Sequence, residues 1–290
     1  MIRVCLVGLG RTGKEIAKAL LEEKKIKLVS VICSCNRDKA GKPLSDIIYC
    51  NNSNVIVDSE DNLRQVIFKT KPDVVVDFSN PEATIRNAKF FSKMKINMVV
   101  GTTGFSDFSL KRLFLLTKKH RNAICYAPNI TLGVNVLMLL TRLAASILND
   151  YDFQITEIHH KNKKDIPSGT ALKIEREIEK GLNGNTSSKN SEVKINAIRA
   201  GGVVGKHEVL IVGENDKIEI SHESFSRQAF TPGVIKAIEF IHNKVGYYEM
   251  ADVLKLQEIL ESYLEKERKK KIKRYDNNKR EVDKSPVSLV

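Results

Sequence analysis

The 290-residue chain has no apolar run that approaches the roughly 18 residues needed for a membrane-spanning helix. Its five cysteines are an odd number, and their spacing fits neither a disulfide framework nor a zinc site. The first strand pattern begins at Ile2, which leaves no room for a signal peptide. We therefore expect a soluble, cytoplasmic protein in a reducing compartment.

Positive charge is in excess and unevenly distributed. The formal net charge is +13, and residues 266–290 carry +6 of it through ten Lys/Arg and four Asp/Glu. The rest of the chain is basic enough to suit an anionic cofactor and substrate as well as a polynucleotide. We expect residues 266–290 to form a basic, disordered tail that is solvated beyond the last helix.

Short apolar strands alternate with helical patterns in the first part of the chain. The strand patterns cover residues 2–7, 27–32, 73–77, 97–100 and 123–126, and helical patterns lie between them. This alternation predicts an α/β fold, with a doubly wound parallel sheet in a dinucleotide-binding domain of residues 1–130.

The pattern changes after residue 130. A long helical pattern precedes the strand pattern of residues 153–158, and a further helix and three strand-like segments follow. This order predicts a second, α+β domain with an antiparallel or mixed sheet over residues 131–227. We assign residues 228–265, with two more helical patterns, to a C-terminal segment.

A glycine turn joins the first strand to the first helix, in the order Gly8, Leu9, Gly10, Arg11, Thr12 and Gly13. In such a turn the first glycine allows a tight bend, the second lets the backbone approach a pyrophosphate, and the third lets the helix pack on the strand. The pyrophosphate then meets free N–H groups and the positive end of the helix dipole. Because glycines also mark ordinary turns, the position between strand and helix is what predicts a dinucleotide site.

The end of the second strand has no acidic residue for a ribose 2′-hydroxyl. Ser34 and Arg37 stand there instead, and a hydroxyl and a guanidinium suit a 2′-phosphate. We predict that NADPH is preferred over NADH, or at least accepted. The alternative is that Arg37 is an ordinary surface residue of the loop.

The highest density of reactive side chains lies between residues 157 and 171. His159, His160, Lys163 and Asp165 follow a strand pattern and precede a helical one, so they lie on the connecting turn. Loops between rigid elements often carry catalytic groups. A metal site is the alternative for the histidine pair, but no third ligand stands at a usual spacing, and we expect no metal.

Together these residues resemble the 4-hydroxy-tetrahydrodipicolinate reductases, also called dihydrodipicolinate reductases, of lysine and diaminopimelate biosynthesis. The resemblance covers nearly the whole chain and is most specific in the string His-His-x-x-Lys-x-Asp-x-Pro-Ser-Gly-Thr-Ala that begins at His159. Further matching segments are the glycine turn and residues 77–79, 101–105, 127–129, 133–135, 199–202, 205–207, 221–222 and 226–227.

The resemblance implies an oxidoreductase that uses NADPH or NADH to reduce 4-hydroxy-tetrahydrodipicolinate, through its dehydrated dihydropyridine, to tetrahydrodipicolinate. It also implies a Rossmann-like domain, a second domain whose open sheet forms a homotetramer, and a C-terminal segment that returns to the first domain. The partner is then a small dicarboxylate, with no membrane and no nucleic acid involved.

The same resemblance assigns roles to individual residues. His159 corresponds to the acid/base histidine and Lys163 to the proton donor, which suits a lysine crowded by other cations. The residues that correspond to substrate ligands are His160, Gly169, Thr170 and Arg227. Those that correspond to cofactor ligands, besides the glycine turn, are Gly101, Thr102, Thr103, Ala127, Pro128, Asn129 and Ile130.

The chain also departs from the family pattern. Its glycine turn is one residue shorter, the acid after the second strand is missing, Ile130-Thr131 replaces an aromatic residue and Ser, and the basic tail is extra. Two rival functions remain: a reductase of another cyclic imine or amino acid, and a dinucleotide-sensing regulator whose tail binds nucleic acid. The intact turn around His159 and Lys163 favours the enzyme, because a sensor needs no proton donor beside its ligand.

Overall fold

The structure is a computed structural model that describes residues 1–34, 38–50, 53–182 and 193–282. Residues 1–253 form one compact unit and residues 254–290 belong to another. The first elements are β1 (Ile2–Val7), α1 (Arg11–Glu22), β2 (Ile26–Cys33), α2 (Leu44–Ile48), β3 (Val57–Ser59), α3 (Leu63–Thr70), β4 (Val74–Asp77), α4 (Pro81–Lys93), β5 (Asn97–Val100), α5 (Asp107–His120) and β6 (Ala123–Tyr126). They are followed by α6 (Leu132–Ile147), β7 (Asp152–His159), α7 (Gly169–Leu182), β8 (Lys194–Arg199), β9 (Gly205–Val212), β10 (Lys217–Ser224), α8 (Thr231–Ile241), β11 (Gly246–Glu249), α9 (Met250–Leu254) and α10 (Leu256–Val282).

The larger sheet is parallel and has the spatial order β11-β6-β5-β4-β1-β2-β3. Strands β4 and β5 are buried along their whole length, as expected for strands that helices cover on both faces. The chain starts at β1 and builds outward in both directions, so a ligand crevice is expected at the carboxyl end of β1. The predicted doubly wound α/β sheet is confirmed.

The smaller sheet has the order β10-β9-β7-β8, in which β7 and β8 are parallel and the other pairs are antiparallel. Burial alternates along β7 and β9, because one face of the sheet packs under α6 and α7 around Ile155, Ile174 and Val209. Residues on that buried face recur at every second position. The predicted mixed sheet is confirmed.

The end of the described chain differs from the sequence-based expectation. Helix α10 continues through Val282, so residues 266–282 are helical rather than a disordered extension. Pairs one turn apart, Lys269 with Glu265 at 2.7 Å and Lys270 with Glu267 at 2.6 Å, support this helix in spite of its positive charge. Residues 283–290 lie outside the described part of the chain.

Candidate active site

The glycine turn closes tightly over the carboxyl end of β1. Gly8 has φ +97°, and a Cβ there would lie 2.4 Å from the carbonyl oxygen of Phe78. A Cβ on Gly13 would lie 2.0 Å from the carbonyl oxygen of Gly8, so this glycine lets α1 pack on the turn. A Cβ on Gly10 would meet no atom of the described residues within 4 Å. Gly10 therefore borders open space in front of the first turn of α1, and within the described part of the chain no side chain caps this turn.

A buried carboxylate fixes the neighbouring loops. Oδ1 of Asp77, at the end of β4, accepts hydrogen bonds from the Ser79 backbone N–H at 2.9 Å and from the Thr102 hydroxyl at 3.3 Å. Burial raises the pKa of Asp77, and these hydrogen bonds oppose that shift. Gly101 leaves room for the Phe78 ring, which a Cβ would approach to 2.2 Å. Asp77 thus holds the loops after β4 and β5 together.

A cavity of about 280 Å³ lies at one end of the glycine turn. Gly8, Leu9 and Ser34 line it, and Nζ of Lys39 donates a hydrogen bond to the Leu9 carbonyl at 2.8 Å. Asp38 and Glu60 also line it, although the sequence pattern predicted no acid at this position. Arg37 lies outside the described residues. Acidic, basic and hydroxyl side chains therefore all line this cavity.

The main cavity, of about 480 Å³, lies between the glycine turn and the turn that follows β7. It brings together most of the residues that the sequence predicted for the site. Of that set, its lining includes Gly10, Arg11, Thr12, Gly13, Gly101, Thr102, Thr103, Pro128, Asn129, Ile130, His159, His160, Lys163, Thr170 and Arg227. Ala127 and Gly169 are absent from the described lining: Ala127 is buried behind it, and Gly169 begins α7.

The described lining of the main cavity is cationic. It contains Arg11, Lys163 and Arg227 together with several histidines, and within the described residues it contains no Asp or Glu. Burial and the nearby charges of Arg11, Arg227 and Lys163 lower the pKa of His160. This lowered pKa favours the neutral form of His160 before a ligand enters. A small dianion is the ligand that such a cavity favours.

Lys163 reaches the cavity from the turn after β7. Its Nζ lies 2.9 Å from Oδ1 of Asp165 on the same turn. Burial would raise the pKa of Asp165, but the hydrogen bond from Lys163 and its charge lower it overall. The side chain of Lys163 is 23% exposed, so its amine is partly screened from solvent while it remains at the cavity.

Asn129 connects the two sides of the cavity. Its Oδ1 accepts a hydrogen bond from the Thr170 hydroxyl at the start of α7. Its own backbone carbonyl accepts from Nδ2 of Asn135 at 2.8 Å, which fixes the loop before α6. Nδ2 of Asn129 is buried and has no hydrogen-bond partner among the residues that the structure describes.

Glu157 lies at the centre of a buried polar network that the sequence did not lead us to expect. Its Oε1 accepts hydrogen bonds from the Arg199 guanidinium at 2.8 Å and the Ser168 backbone N–H at 2.9 Å. Its Oε2 lies 2.8 Å from Nδ1 of His159 and 3.8 Å from Nε2 of His207. A charged residue on the buried face of an alternating strand was the signal that could have revealed this network.

The same residues bear on metal binding. Glu157, His159 and His207 place ligand atoms within 4.8 Å of one another. However, Arg199 and Ser168 already occupy Oε1 of Glu157, and a cation there would face the guanidinium directly. The donor set therefore suits the protein's own arginine better than a metal ion.

Histidines from two strands complete the wall of the cavity. The rings of His159 and His207 meet edge to face with centroids 5.0 Å apart, and Nε2 of His207 lies 3.3 Å from the Ser168 hydroxyl. Burial, followed by the nearby His159, lowers the pKa of His207 to about 3. His222, opposite His207 on β10, packs against Gly133, where a Cβ would lie 2.5 Å from the ring. Neither histidine had a predicted role, because only the pairing of the strands brings them to the site.

The chain matches one known protein family over most of its length. The family model for the N-terminus of dihydrodipicolinate reductase matches residues 2–130, and the model for the C-terminus matches residues 133–254. The 4-hydroxy-tetrahydrodipicolinate reductase of Methanococcus aeolicus is 37% identical over 89% of this chain and 100% of its own length. That of Methanocaldococcus jannaschii is 39% identical over 89% of this chain and 99% of its own length.

Solved structures give the same result. A dipicolinate-bound dihydrodipicolinate reductase from Paenisporosarcina sp. TG-14 has a TM-score of 0.69 and 27% identity, and the match covers 86% of this chain and 97% of the other. An amine dehydrogenase from Mycobacterium smegmatis shares the fold, with a TM-score of 0.58 and 12% identity over 87% of this chain and 95% of its own. Among the described residues no helix is long and apolar enough to cross a membrane. The sequence, the fold and the cavity agree, and the chain belongs to the dihydrodipicolinate reductase family.

Proposed function

We propose that this protein is an oxidoreductase that reduces 4-hydroxy-tetrahydrodipicolinate, through its dehydrated dihydropyridine, to tetrahydrodipicolinate with NADPH or NADH. The observation that carries the proposal is the main cavity, where Arg11, Lys163 and Arg227 face a space without a carboxylate among its described residues. A cyclic dicarboxylate is the substrate that such a lining would attract. The names of the relatives, and the dipicolinate bound to the Paenisporosarcina reductase, support this choice.

The residues of the glycine turn fit a nicotinamide dinucleotide. Gly10 leaves open space in front of the uncapped first turn of α1, where backbone N–H groups and the helix dipole would hold a pyrophosphate. Asn129 lines the main cavity, and its side chain would lie near the end of the cofactor that enters there. When bound, the reduced nicotinamide would supply a hydride.

Our proposal favours NADPH, with NADH accepted. Ser34 and Lys39 line the cavity at the far end of the glycine turn, and both could bind a 2′-phosphate. Asp38 and Glu60, which line the same cavity, would favour a 2′-hydroxyl. The Michaelis constants for the two cofactors test this preference, because a tenfold or greater preference for NADH would reject it.

The substrate's carboxylates would be bound by the cationic side of the cavity. Arg227 offers a guanidinium fork, and His160, which is neutral before binding, offers a ring N–H and gains a proton more easily beside a dianion. The start of α7, at Gly169 and Thr170, adds backbone N–H groups and a hydroxyl.

Proton transfer would fall to His159 and Lys163. Hydride addition to the conjugated ring leaves electron density on the substrate that must accept a proton, and an ammonium beside it can donate one. Lys163 presents an ammonium at the cavity, oriented by Asp165. His159, in the same wall, would act as the acid/base partner.

We also propose a domain organisation for this activity. Residues 1–130 would bind the dinucleotide, and residues 131–227 would bind the substrate and form a homotetramer. Residues 228–265 would return to the first domain, in agreement with the parallel pairing of β11 with β6, and residues 266–290 would be a basic tail. The cytoplasm, where both cofactors are present, is the proposed location.

A coupled assay tests the proposed activity. Substrate is generated freshly in the cuvette, and the absorbance of reduced nicotinamide is followed with each cofactor in turn. We expect substrate-dependent oxidation of the cofactor by the wild type and by Lys161→Ala, which removes an exposed lysine of the same turn. A wild-type protein that oxidises neither cofactor in the presence of this substrate would contradict the proposal.

A further inference from the structure

We propose that Glu157 is a positioning residue for His159. Its carboxylate keeps the proton of the imidazole on Nδ1 and leaves Nε2 as the atom that faces the cavity. This inference rests on the proposed function for the part that His159 plays in proton transfer. The geometry on which it stands is independent of the substrate.

Strand geometry places the two groups together. Glu157 and His159 are two residues apart on β7, so their side chains stand on the same face of the sheet. Oε2 of Glu157 lies 2.8 Å from Nδ1 of His159, although the two atoms are not in linear hydrogen-bond geometry. Both residues are buried, and Glu157 has no exposed surface. At this separation in a buried site, the carboxylate favours the tautomer with hydrogen on Nδ1.

Arg199 keeps the carboxylate ionised. Burial alone would raise the pKa of Glu157, but the close contact with His159 and the hydrogen bonds from Ser168 and Arg199 lower it well below its usual range. The position of Arg199 is itself fixed, because its guanidinium also donates a hydrogen bond to the backbone carbonyl of Asp165 on the turn after β7. The carboxylate therefore carries a full negative charge at neutral pH, and its position is fixed by partners on β8 and on the turn.

The other groups that face His159 supply no competing negative charge. Arg199 on β8 is cationic, and Lys163 on the turn is paired with Asp165. His160 on the turn and His207 on β9 are held neutral, since burial lowers the pKa of both. His222 on β10, beyond His207, has a pKa lowered by burial as well. Among the described neighbours, Glu157 is thus the anion in contact with the His159 ring.

The opposite edge of the ring is left open by a glycine. Gly205 at the start of β9 lines the cavity, and a Cβ there would lie 3.0 Å from Nε2 of His159. A side chain at this position would crowd the nitrogen that the proposal assigns to the substrate. Glu157 therefore lies beside Nδ1 of His159, and Gly205 leaves space beside Nε2. The carboxylate contacts Nδ1, and Nε2 is free to contact the substrate.

The first test is the tautomer of His159 in the protein without substrate or cofactor. The histidines are labelled with ¹⁵N, and a long-range ¹H–¹⁵N correlation spectrum reports which ring nitrogen is protonated. The spectrum of His159→Asn identifies the signal of His159. We expect Nδ1 to be protonated in the wild type, and this preference to be lost in Glu157→Gln. The matched control is Glu208→Gln on β9, whose carboxylate pairs with Lys206 instead, and it should leave the spectrum unchanged. A wild-type signal with hydrogen on Nε2 alone would overturn the proposal.

The second test is kinetic. We expect Glu157→Gln to lower kcat by about a hundredfold with a smaller change in KM, the scale of a lost acid/base group. Wild-type values of kcat and KM in Glu157→Gln would contradict the positioning role.

Two further variants separate a loss of positioning from misfolding and from failure of the proposed function. If Glu157→Gln does not fold because Arg199 is left unpaired, the double variant Glu157→Gln with Arg199→Met removes both charges and carries the same measurements. Gly205→Ala should lower kcat while the Nδ1 signal of His159 stays as in the wild type. If none of the proteins reduces the substrate but the tautomer changes as expected, the positioning role stands and the proposed function falls.

Discussion

The two glycines at positions 10 and 13 should respond to the same substitution in opposite ways. Gly10 has φ −78°, which any residue adopts, and among the residues that the structure describes no atom lies within 4 Å of a Cβ built there. Gly10→Ala should therefore change the free energy of unfolding by less than about 1 kcal/mol, since the loss of a small cap is offset by a stiffer unfolded chain. The added methyl would instead occupy the space that the proposal assigns to the pyrophosphate.

The expected cost to cofactor binding follows from the hydrogen bonds that would be lost. A pyrophosphate pushed away from the first turn of α1 loses one or two charge-assisted hydrogen bonds, each of about 1.5–3 kcal/mol. A loss of about 3 kcal/mol corresponds to a roughly hundredfold weaker Kd. Gly13→Ala differs, because its Cβ would lie 2.0 Å from the backbone oxygen of Gly8 and neither atom can move without moving α1. We expect it to destabilise the fold by about 3 kcal/mol.

Urea unfolding and calorimetric titration with NADPH separate the two effects. We predict normal unfolding with weak cofactor binding for Gly10→Ala, and a lowered unfolding midpoint for Gly13→Ala. Tight, wild-type cofactor binding by a folded Gly10→Ala protein would refute the assignment of the pyrophosphate to this turn. Equal stability of Gly13→Ala and the wild type would refute the close packing of α1 on the turn.

Three further outcomes are expected. Lys163→Ala should lower kcat by more than about a hundredfold, whereas Lys161→Ala should leave kcat near the wild-type value. Near-normal turnover of Lys163→Ala in the coupled assay would exclude the proton-donor role. His207 has a folded pKa of about 3, below its unfolded value of about 6.5. The stability that its neutral form contributes is therefore complete above pH 6.5 and is lost as the pH falls toward 3. The melting temperature of His207→Asn should depend less steeply on pH than that of the wild type between about pH 6.5 and 4.5, a window above the range in which Glu157 is protonated. Dialysis against EDTA should leave the reductase rate unchanged, and a loss that zinc restores would reverse our interpretation of Glu157 and Arg199.

The parallel sheet was predictable because its central strands are buried on both faces. Strands β4 and β5 are continuous apolar runs, and the glycine turn marks the junction of β1 with α1. The edge strands were missed for a physical reason: β3 has three residues and β11 is half-buried along its length, so neither carries a strong pattern. The extent of α10 was also missed, since pairs one turn apart stabilise a segment whose composition suggested disorder.

The site was predictable where its residues are adjacent in sequence. His159, His160 and Lys163 stand in one string, and the structure brings them to the same cavity as Arg227. The alternation of β7 indicates that Glu157 is buried, but its partners could not be predicted, because Arg199 and His207 reach it only through the pairing of β7 with β8 and β9. The sequence indicates turns and periodicities, whereas the register between distant strands determines which buried polar groups come into contact.

Isotope transfer tests most directly whether the protein delivers a hydride to this substrate. The protein is incubated with reduced cofactor deuterated at C4 of the nicotinamide ring and with freshly generated 4-hydroxy-tetrahydrodipicolinate, and the product is analysed by mass spectrometry. We predict tetrahydrodipicolinate that carries deuterium, formed by the wild type and by Lys161→Ala and greatly reduced in Lys163→Ala. A wild-type protein that leaves all the deuterium in the nucleotide would contradict the proposed reduction.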